Sequence, residues 1–304
     1  MIILKIIGGL GNQMFQTAFA KMLAMELNED IYLDDSVYNR YKIRKLSIQN
    51  LYIYDSLNPI ENIELPKATK LYVKLSQKIY HVYQAVRKRL TKNDRIGEEI
   101  YTRLVRRGLY YNFDRYFYNI LIHTNKTKCV YGYFESEKYF EKHKEYIREQ
   151  MMVRISPTDR EKELLDTIKD CTAVGVSIRI GDDYIGSPGM NVCTKEYFYR
   201  GMQHIYDQYK DAVFFIFSDR VDRVKEQFHF DFPVRYIEGF RDYESLRLLY
   251  SCKHFVISNS TFSWWGAYLS DNDKKIVAAP SRWRNDSRER PDIYMDTMVL
   301  IDPD

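Results

Sequence analysis

The sequence predicts an α/β protein with parallel sheets, and three observations lead to this class. Between residues 172 and 279, apolar runs of strand length alternate with segments of helical periodicity. The N-terminal part repeats this alternation, with an apolar run at 2–7, a helical pattern at 14–27 and a short apolar run at 31–33. Polar residues follow these runs at the carboxyl ends of the predicted strands, where α/β proteins bind their ligands.

Length and composition indicate two globular domains. The chain has 304 residues, 45% of them hydrophobic, which is enough to bury a core in each domain. Ser156-Pro157 marks the predicted boundary, because proline disfavours helix in the residue before it. We therefore expect an N-terminal domain over 1–156 and a C-terminal domain over 157–304, with the last segment packing back on the N-terminal domain.

Charge and cysteine usage exclude several classes of protein. The formal net charge of +4 is mild, and no known nucleic-acid motif occurs in a strongly basic domain, so we expect no nucleic-acid partner. The four cysteines include no C-x-x-C pair, which disfavours zinc and redox sites and suits the reduced thiols of a cytoplasmic protein. No apolar run approaches the ~20 residues of a membrane span, and the first apolar run is too short for a signal peptide.

A glycine-rich turn, Gly8–Gln13, follows the first predicted strand. It partly matches the dinucleotide-binding fingerprint, but Met14 stands where that fingerprint has its third glycine, and this weakens an NAD interpretation. The alternative is a tight turn whose glycines let strand and helix pack closely. Asn12 and Gln13 nevertheless predict two amides at a helix N-terminus that opens toward a cleft.

Residues 66–92 predict one long basic helix. Between Lys67 and Lys92 the segment contains eight cations and no acid. Its apolar residues recur at steps of three and four, at Leu75, Ile79, Val82, Val86 and Leu90. The commoner interpretation is a packed helix with a solvated basic face, and the alternative is peripheral association with an anionic membrane. Residues 95–125 predict no regular element, and Ser136 is expected to cap a helix that follows it.

Arg179 lies near the end of the strand predicted over 172–180. Its planar fork suits a phosphate or pyrophosphate, because it can donate two parallel hydrogen bonds. The alternative is an arginine that pairs with Asp182 and only shapes the turn. No Asp-x-Asp pair follows any of the strands predicted here, so no metal site is predicted.

Polar groups follow the other predicted strands of the second half as well. The strands are expected at 212–218, 233–237, 254–258 and 275–279, and helices at 195–209 and 242–250. The polar groups are Ser218 and Asp219, the stretch Ser258-Asn-Ser-Thr261, and Arg282. The hydroxyl-rich stretch precedes a helix start, which predicts an anion site, the alternative being a simple Ser/Thr N-cap.

Four segments together resemble the α-1,2-fucosyltransferases of glycosyltransferase family 11, in that family's order. They are Gly8–Gln16, Gly132–Phe140, Ser177–Asp182 and Ser258–Gly266. The resemblance implies a GT-B-like fold, in which two Rossmann-like domains face a cleft, the first on the acceptor side and the second binding GDP-fucose. It also implies inverting transfer of L-fucose to O2 of a terminal galactose on an oligosaccharide or glycolipid, without metal or cofactor, in polysaccharide or O-antigen biosynthesis.

The same resemblance implies roles for individual residues. Arg179 would bind the donor β-phosphate, and Asp219 would contact the guanosine. The turn that would hold the pyrophosphate consists of Ser258, Asn259, Ser260, Thr261 and Phe262. From the other domain, the residues that would face the fucose and the acceptor are Gly11, Asn12 and Gln13. Asp182 is a candidate general base, and Asn12 a further candidate catalytic residue.

Two positions depart from the family motif His-x-Arg-Arg-x-Asp. Ser177 stands at the position of the histidine, where a donor contact is expected, and Ile180 at that of the second arginine. These departures keep open a catalytically silent relative that binds a glycan or nucleotide. The Gly8–Gln13 turn keeps open an NAD-dependent Rossmann enzyme.

Overall fold

The computed structural model describes residues 1–40, 44–91, 95–286 and 290–304. The chain forms two compact units. Unit 1 consists of Met1–Gln150 together with Pro291–Ile293, and unit 2 of Met151–Arg290 together with Tyr294–Asp304. The division after residue 150 lies a few residues before the predicted boundary at 156, and only three residues of the last segment belong to unit 1.

Unit 1 is built on a five-stranded sheet in which all the pairings are parallel, in the order β3-β2-β1-β5-β4. In chain order its elements are β1 (Ile2–Lys5), α1 (Leu10–Leu27), β2 (Ile31–Asp34), β3 (Leu57–Pro59), α2 (Lys67–Thr91), α3 (Glu98–Val105), β4 (Leu109–Asn112), β5 (Lys128–Gly132) and α4 (Lys144–Gln150). The turns after β1 and after β5 carry the first two motifs, and the sheet brings them together because these two strands are neighbours.

The motif after β5 is mainly a packing motif. Phe134 stacks on Phe19 of α1, with ring centroids 4.1 Å apart, and Tyr139 meets the same ring edge-on at 4.9 Å. A Cβ at Gly132, whose φ is +152°, would lie 2.0 Å from the carbonyl oxygen of Asn112, so only glycine fits there. The expected cap at Ser136 is wrong, since a 3₁₀ turn follows and the Ser136 side chain makes no capping bond.

The prediction that residues 95–125 contain no regular element is wrong. They contain α3 and β4, which the sequence obscures for two reasons. The helix has only eight residues, too few for a clear periodicity, and the strand is buried on both faces, which removes the alternation typical of a half-buried strand.

Helix α2 lies where the sequence predicts it, but the expected burial of its apolar stripe is wrong. Ile79, Val82 and Leu90 are 68%, 64% and 77% exposed. The helix instead packs through a narrower face, in which Tyr80 is buried and Ser76 contacts Tyr111 of β4 with 2.9 Å between the two hydroxyl oxygens. Lys92, the predicted end of the helix, lies outside the described residues. None of the described helices combines the length and the apolar composition that crossing a membrane requires.

Unit 2 is built on a six-stranded sheet, again with parallel pairings, in the order β11-β10-β9-β6-β7-β8. In chain order its elements are α5 (Asp159–Lys169), β6 (Thr172–Ile178), α6 (Asp182–Ile185), α7 (Lys195–Tyr206), β7 (Ala212–Ser218), α8 (Val221–Gln227), β8 (Val234–Tyr236), α9 (Asp242–Tyr250), β9 (His254–Ile257), α10 (Thr261–Leu269), β10 (Val277–Pro280) and β11 (Met298–Ile301). The five predicted strands are confirmed, with ends within two residues of those expected. Two parallel sheets confirm the α/β class.

Strand β6 separates two layers of helices in unit 2. Val174, Val176 and Ile178 belong to the core that includes α7. The residues between them face the opposite way, because side chains alternate along a strand. On that side, the Leu249 side chain of α9 fills the space that two glycines leave open. A Cβ added at Gly175 would lie 2.6 Å from the Leu249 side chain, and a Cβ added at Gly266 would lie 2.3 Å from it.

Candidate functional site

The centre of the sheet in unit 2 contains a topological switch point. From β6 the chain proceeds outward to β7 and β8, then returns to place β9 on the other side of β6. The loops that leave the carboxyl ends of β6 and β9 therefore diverge, and such a crevice is the usual ligand site of an open α/β sheet. The two loops start at Arg179 and at Ser258, whose backbone N–H donates to the Ser177 carbonyl at 3.1 Å.

Arg179 is held at this crevice by acidic and aromatic neighbours. Its Nη2 donates to Asp183 Oδ2 at 2.8 Å, its Nε lies 4.0 Å from Asp219 Oδ2, and its guanidinium lies 5.4 Å from the Tyr184 ring centroid. The expected alternative of a pair with Asp182 is therefore wrong. Because a guanidinium carries five N–H donors, these contacts are compatible with a further anionic partner.

Asp219 fixes the loop on which Arg179 lies. Its Oδ1 accepts hydrogen bonds from the backbone N–H groups of Ile180 at 2.9 Å and Gly181 at 3.1 Å. A Cβ at Gly181 would lie 2.6 Å from Asp219 Oδ2, so a larger residue there would displace this carboxylate. The carboxylate thus positions the loop, and its expected contact with guanosine stays a prediction.

Asp182 pairs with arginines other than Arg179. Its side chain is 78% exposed and pairs with Arg223 Nη2 at 2.6 Å and more distantly with Arg220 Nη1 at 3.8 Å. The adjacent Asp183 pairs with Arg179, so the two neighbouring carboxylates are held by different arginines. The role of Asp182 as a general base stays a prediction.

The turn after β9 divides into a buried half and a more accessible half. Ser258 is fully buried, and Asn259 uses both ends of its amide inside the unit. Asn259 Oδ1 accepts from the Tyr184 hydroxyl at 2.6 Å, while its Nδ2 donates to the carbonyls of Met190 at 2.8 Å and Trp283 at 2.9 Å. The expectation that these two side chains face a ligand is corrected, because buried polar groups are satisfied by the protein itself.

The accessible half of this turn consists of Ser260, Thr261 and Phe262, which are partly exposed and begin α10. Ser260 occupies the N-cap position without making a side-chain capping bond. The alternative of a simple N-cap is therefore not supported. Since the first N–H groups of a helix lack acceptors within the helix, this end of α10 is suited to an anion.

A cavity of about 360 Å³ lies beside Arg179. Its cationic lining residues are Arg179, Lys195 at the start of α7, and Arg282 after β10. The Arg282 guanidinium donates two hydrogen bonds to the Asp304 carboxylate, with Nη1–Oδ2 and Nη2–Oδ1 distances of 3.1 and 2.7 Å. Phe198 and Phe228 also line the cavity, and both side chains are almost fully buried. Asp304 also lines the cavity, so its walls combine apolar, cationic and anionic groups, and the cations suit phosphates.

Cys193 also lines this cavity, but its thiol is a poor nucleophile. Burial raises the pKa of Cys193 to about 12, and its Sγ donates to Asn259 Oδ1 at 3.7 Å. The thiol is therefore neutral at physiological pH, and the thiolate form that covalent chemistry needs is suppressed.

The glycine-rich turn of unit 1 is stabilised by two buried glutamines. Gln16 Oε1 accepts from the Ile7 N–H at 2.9 Å, and Gln16 Nε2 donates to the Ile7 carbonyl at 3.0 Å. Gln13 is fully buried, and its Oε1 accepts from the N–H groups of Ser47 and Ile48, both at 2.9 Å. Its Nε2 donates to the Gly8 carbonyl at 3.0 Å. This corrects the expectation that Gln13 faces a ligand, because the protein uses both ends of its amide.

Gly11 and Asn12 differ from Gln13 in their surroundings. Gly11 is buried at the start of α1, and Asn12 is half-buried. A Cβ at Gly8, whose φ is +82°, would lie 2.7 Å from Asn12 Nδ2, so the turn closes tightly over this amide. Both residues belong to unit 1, whereas Arg179 and the turn after β9 belong to unit 2.

A family model provides the deciding observation, since the one for glycosyl transferase family 11 matches residues 1–301. The chain belongs to glycosyltransferase family 11. Two Escherichia coli relatives of this family 11 chain are similar over nearly their whole length. The alpha-1,2-colitosyltransferase is 28% identical over 300 residues, covering 93% of this chain and 92% of that protein. The O-antigen biosynthesis glycosyltransferase WbnK is 27% identical over 296 residues, covering 91% and 92%.

The fold of this family 11 chain also occurs in a solved structure. The fucosyltransferase NodZ from Bradyrhizobium gives a TM-score of 0.50 over 87% of this chain and 91% of that one, with 11% sequence identity. At such identity the likeness concerns the fold alone. It confirms the expected GT-B-like class, with two Rossmann-like units.

Ser177 stands at the position of the histidine in the family motif, and its contacts are structural. Ser177 is almost fully buried on the α10 side of β6, with its Oγ 2.7 Å from Ser263 Oγ. Ser263 Oγ lies 3.4 Å from Ser258 Oγ, so three hydroxyls connect β6, β9 and α10. The expected donor contact of Ser177 is corrected, since its side chain links elements inside the unit.

Sequence reasoning missed some residues of the cavity and found others. Lys195, Asn191 and Phe198 were not singled out, although the Thr194 cap that starts α7 was a usable signal. The described residues include no group of three or more His, Cys, Asp or Glu side chains that could hold a metal ion. The candidate anion-binding groups are therefore the cavity cations Arg179, Lys195 and Arg282 and, separately, the first turn of α10.

Proposed function

We propose that this family 11 enzyme transfers L-fucose from GDP-β-L-fucose to O2 of a terminal galactose, with inversion at the anomeric carbon. The observation that carries the proposal is the position of Arg179, at the switch point of unit 2 and beside a cavity with two further cations. The proposed ligand is a nucleoside diphosphate, with its phosphates near these cations.

The proposed reaction is a single displacement. The acceptor oxygen forms a bond to the anomeric carbon as the bond from that carbon to the β-phosphate oxygen breaks, and its electron pair leaves with GDP. The sugar develops oxocarbenium character, and charge grows on the departing phosphate. Arg179 and the N-terminus of α10 would stabilise that charge, a preorganised electrostatic contribution.

The acceptor hydroxyl must lose its proton in this displacement. Asp182 is the proposed base, and Asn12 is a further proposed catalytic residue that would act through its amide. Asn12 cannot take up the proton, because a carboxamide has no basic nitrogen. The assignment is tested by Asp182→Asn, which keeps the size of the side chain and removes its basicity.

A second donor is favoured by one specific observation, since a relative covering most of the chain is named a colitosyltransferase. Colitose is fucose without one hydroxyl group. A site that hydrogen-bonds that hydroxyl discriminates strongly against the analogue without it, whereas an apolar site discriminates weakly. The donor therefore has to be chosen by direct competition.

We place the reaction in the cytoplasm, with an oligosaccharide or glycolipid acceptor such as those of O-antigen biosynthesis, and with the enzyme peripheral to the inner membrane surface. The described cysteines are free thiols, as suits a reducing compartment. The name of the relative WbnK supports an O-antigen acceptor. No nucleic-acid partner and no cofactor are proposed.

The test combines nucleotide binding with turnover. Calorimetry should detect GDP binding and far weaker binding of UDP and NAD. GDP-fucose and GDP-colitose are then offered with a panel of β-galactosides, and the products are identified by mass spectrometry and linkage analysis. Tight NAD binding without GDP binding would support an oxidoreductase. GDP binding without acceptor-dependent GDP release from any donor would support the silent relative.

A further inference from the structure

Helix α2 presents a long apolar surface that no other described element covers. The stripe consists of Leu71, Tyr72, Leu75, Ile79, Val82, Val86 and Leu90, all exposed. Apart from the adjacent Leu71 and Tyr72, these positions recur at steps of three and four between Leu71 and Leu90, so they lie on one side of the helix. An exposed apolar surface of this length marks an interaction site, since single exposed apolar residues are common but contiguous ones are not.

The opposite side of α2 is anchored to the sheet, which fixes the direction of the stripe. Tyr80 is buried, with its ring centroid 5.4 Å from that of Tyr111. Lys5, at the end of β1, donates to Gln77 Oε1 at 3.0 Å. Ser76, Gln77 and Tyr80 lie on a side of the helix away from Leu75, Ile79 and Val82, so the packing that holds the helix leaves the stripe outside.

The charges of α2 are of one sign. The described helix contains seven cations, Lys67, Lys70, Lys74, Lys78, Arg87, Lys88 and Arg89, and no Asp or Glu. At ~100° per residue, Lys67, Lys74 and Lys78 fall between the anchored side and the apolar stripe. The exposed part of the helix is thus half cationic and half apolar.

We propose that this face of α2 binds the surface of an anionic lipid bilayer, with the helix lying in the membrane plane. The apolar stripe would enter the boundary between headgroups and acyl chains, and the lysines would contact lipid phosphates. The composition and the charge of α2 both favour a lipid bilayer over other partners. The helix is too polar to span a membrane, and a second copy of the chain would bring two sets of seven cations together.

The test is co-sedimentation of the full-length protein with vesicles at low and high salt. Vesicles of phosphatidylcholine with a minority of phosphatidylglycerol should bind the protein at low salt, and pure phosphatidylcholine much less. Lys74→Gln with Lys78→Gln should weaken binding about 30-fold, from ~1 kcal/mol per cation near the surface. Ile79→Ser with Val82→Ser, which leaves the charge unchanged, should weaken it about tenfold or more.

Matched controls use exposed residues outside α2. Lys142→Gln with Lys144→Gln removes two exposed cations, and Leu121→Ser with Ile155→Ser removes two exposed apolar side chains. Both should leave vesicle binding unchanged, and circular dichroism should show folded protein throughout. Equal losses in control and α2 variants, or no binding to anionic vesicles at low salt, overturn the proposal.

Two further outcomes also decide against it. Sedimentation as a dimer that Ile79→Ser with Val82→Ser converts to a monomer, without vesicle binding, would assign the stripe to a second copy. Capture of α2 by an acidic protein, again without vesicle binding, would assign it to a protein partner. Transfer to a soluble acceptor is measured in parallel, and it should be unchanged in the α2 variants, so failure of this proposal and of the proposed reaction are distinguishable.

Discussion

At the residue scale, Arg179 shows how a candidate ligand-binding side chain is held by groups with separate tasks. Asp219 fixes the backbone of its loop through two N–H groups, whereas Asp183 pairs with the guanidinium itself. The Tyr184 ring lies beside the same guanidinium, and the hydroxyl of that tyrosine donates to Asn259 in the turn after β9. The two loops of the crevice are therefore joined through one aromatic side chain.

Arg179→Ala should reduce kcat by about 10²–10³, because losing one donor to charge that develops in the transition state costs ~3–4 kcal/mol. Arg179→Lys should restore only part of this, since an ammonium cannot form the same fork. The melting temperature should change little, because the pair with Asp183 is partly exposed and such pairs contribute about 0–1 kcal/mol. The measurements are kcat, GDP affinity and thermal melting.

Arg160 offers a matched control for this substitution. Its guanidinium also lies beside an aromatic ring, 4.5 Å from the Phe240 centroid, and donates to the Glu238 carbonyl. Arg160→Ala should leave kcat near the wild-type value. A folded Arg179→Ala enzyme that turns over as fast as Arg160→Ala would remove Arg179 from the mechanism.

At the element scale, the closeness of α9, α10 and β6 depends on two glycines that meet one leucine. Gly175 in β6 and Gly266 in α10 both leave the space that Leu249 fills. The last glycine of the motif Ser258–Gly266 thus serves packing, while the first turn of the same helix lies at the crevice. The proposed anion site and the core packing therefore share α10.

Gly266→Ala should destabilise the fold by about 1–3 kcal/mol through overpacking, partly offset by the better helix propensity of alanine. Leu249→Ala should cost about 2–5 kcal/mol on its own. The double variant should lose about 1 kcal/mol or more less unfolding free energy than the sum of the two single losses. The reason is that the shortened side chain at position 249 makes room for the methyl group added at position 266. Denaturant unfolding of the four proteins gives the coupling, and strict additivity would contradict close packing here.

Strand β9 contains a histidine that should make stability depend on pH. His254 Nδ1 accepts from the Ile276 N–H at 3.0 Å, and burial, assisted by nearby Lys253, lowers the pKa of His254 below its usual range. The unfolded chain takes up this proton near pH 6.5, whereas the folded chain does so only at lower pH. The contribution of neutral His254 to the free energy of unfolding is therefore fully present above pH 6.5, and it decreases as the pH falls below 6.5.

His254→Asn keeps an acceptor for Ile276 and removes the titration. Between pH 7.5 and pH 5.5 the wild type should lose more unfolding free energy than this variant, by linkage. His123→Asn, at an exposed position, should follow the wild type. Parallel pH curves for wild type and His254→Asn would show that His254 titrates equally in both states.

At the scale of the whole molecule, the proposed chemistry relies on cations of the protein rather than on a metal ion. Asp182 and Asp183 are adjacent but are held by different arginines, so they do not form a pair of metal ligands. We predict that turnover survives EDTA, because Arg179 and the N-terminus of α10 would stabilise the leaving diphosphate. The measurement is the transfer rate in chelator, then with Mg²⁺ or Mn²⁺ added. A loss of turnover that either ion restores would contradict the prediction.

The sequence predicted the sheet of unit 2 well, because its strands are apolar runs separated by clear helical segments. It also located Arg179 and the start of α10, since polar residues after a strand are visible in the pattern. It misplaced Gln13 and Asn259, whose partners lie far along the chain at Ser47, Ile48 and Trp283. Burial of a polar side chain depends on such distant partners, which local periodicity does not contain.

Helix α2 illustrates a different limit. A stripe of apolar residues at helical spacing looks the same whether a core or a membrane covers it. The pattern therefore predicted the helix and its amphipathic character, and the tertiary contacts of Ser76, Gln77 and Tyr80 decided which side is buried. Short or doubly buried elements such as α3 and β4 were missed because neither periodicity develops in them.

The assignment of Pro291–Ile293 to unit 1 has a consequence for dividing this protein into fragments. Asp292 accepts from the Phe117 N–H at 3.0 Å and pairs with Lys138 at 2.8 Å, both in unit 1. A gene split after codon 150 would thus yield a second polypeptide that contains part of the first unit. Co-expressed halves should associate by complementation, whereas the first half alone would lack the carboxylate that binds Phe117 and Lys138.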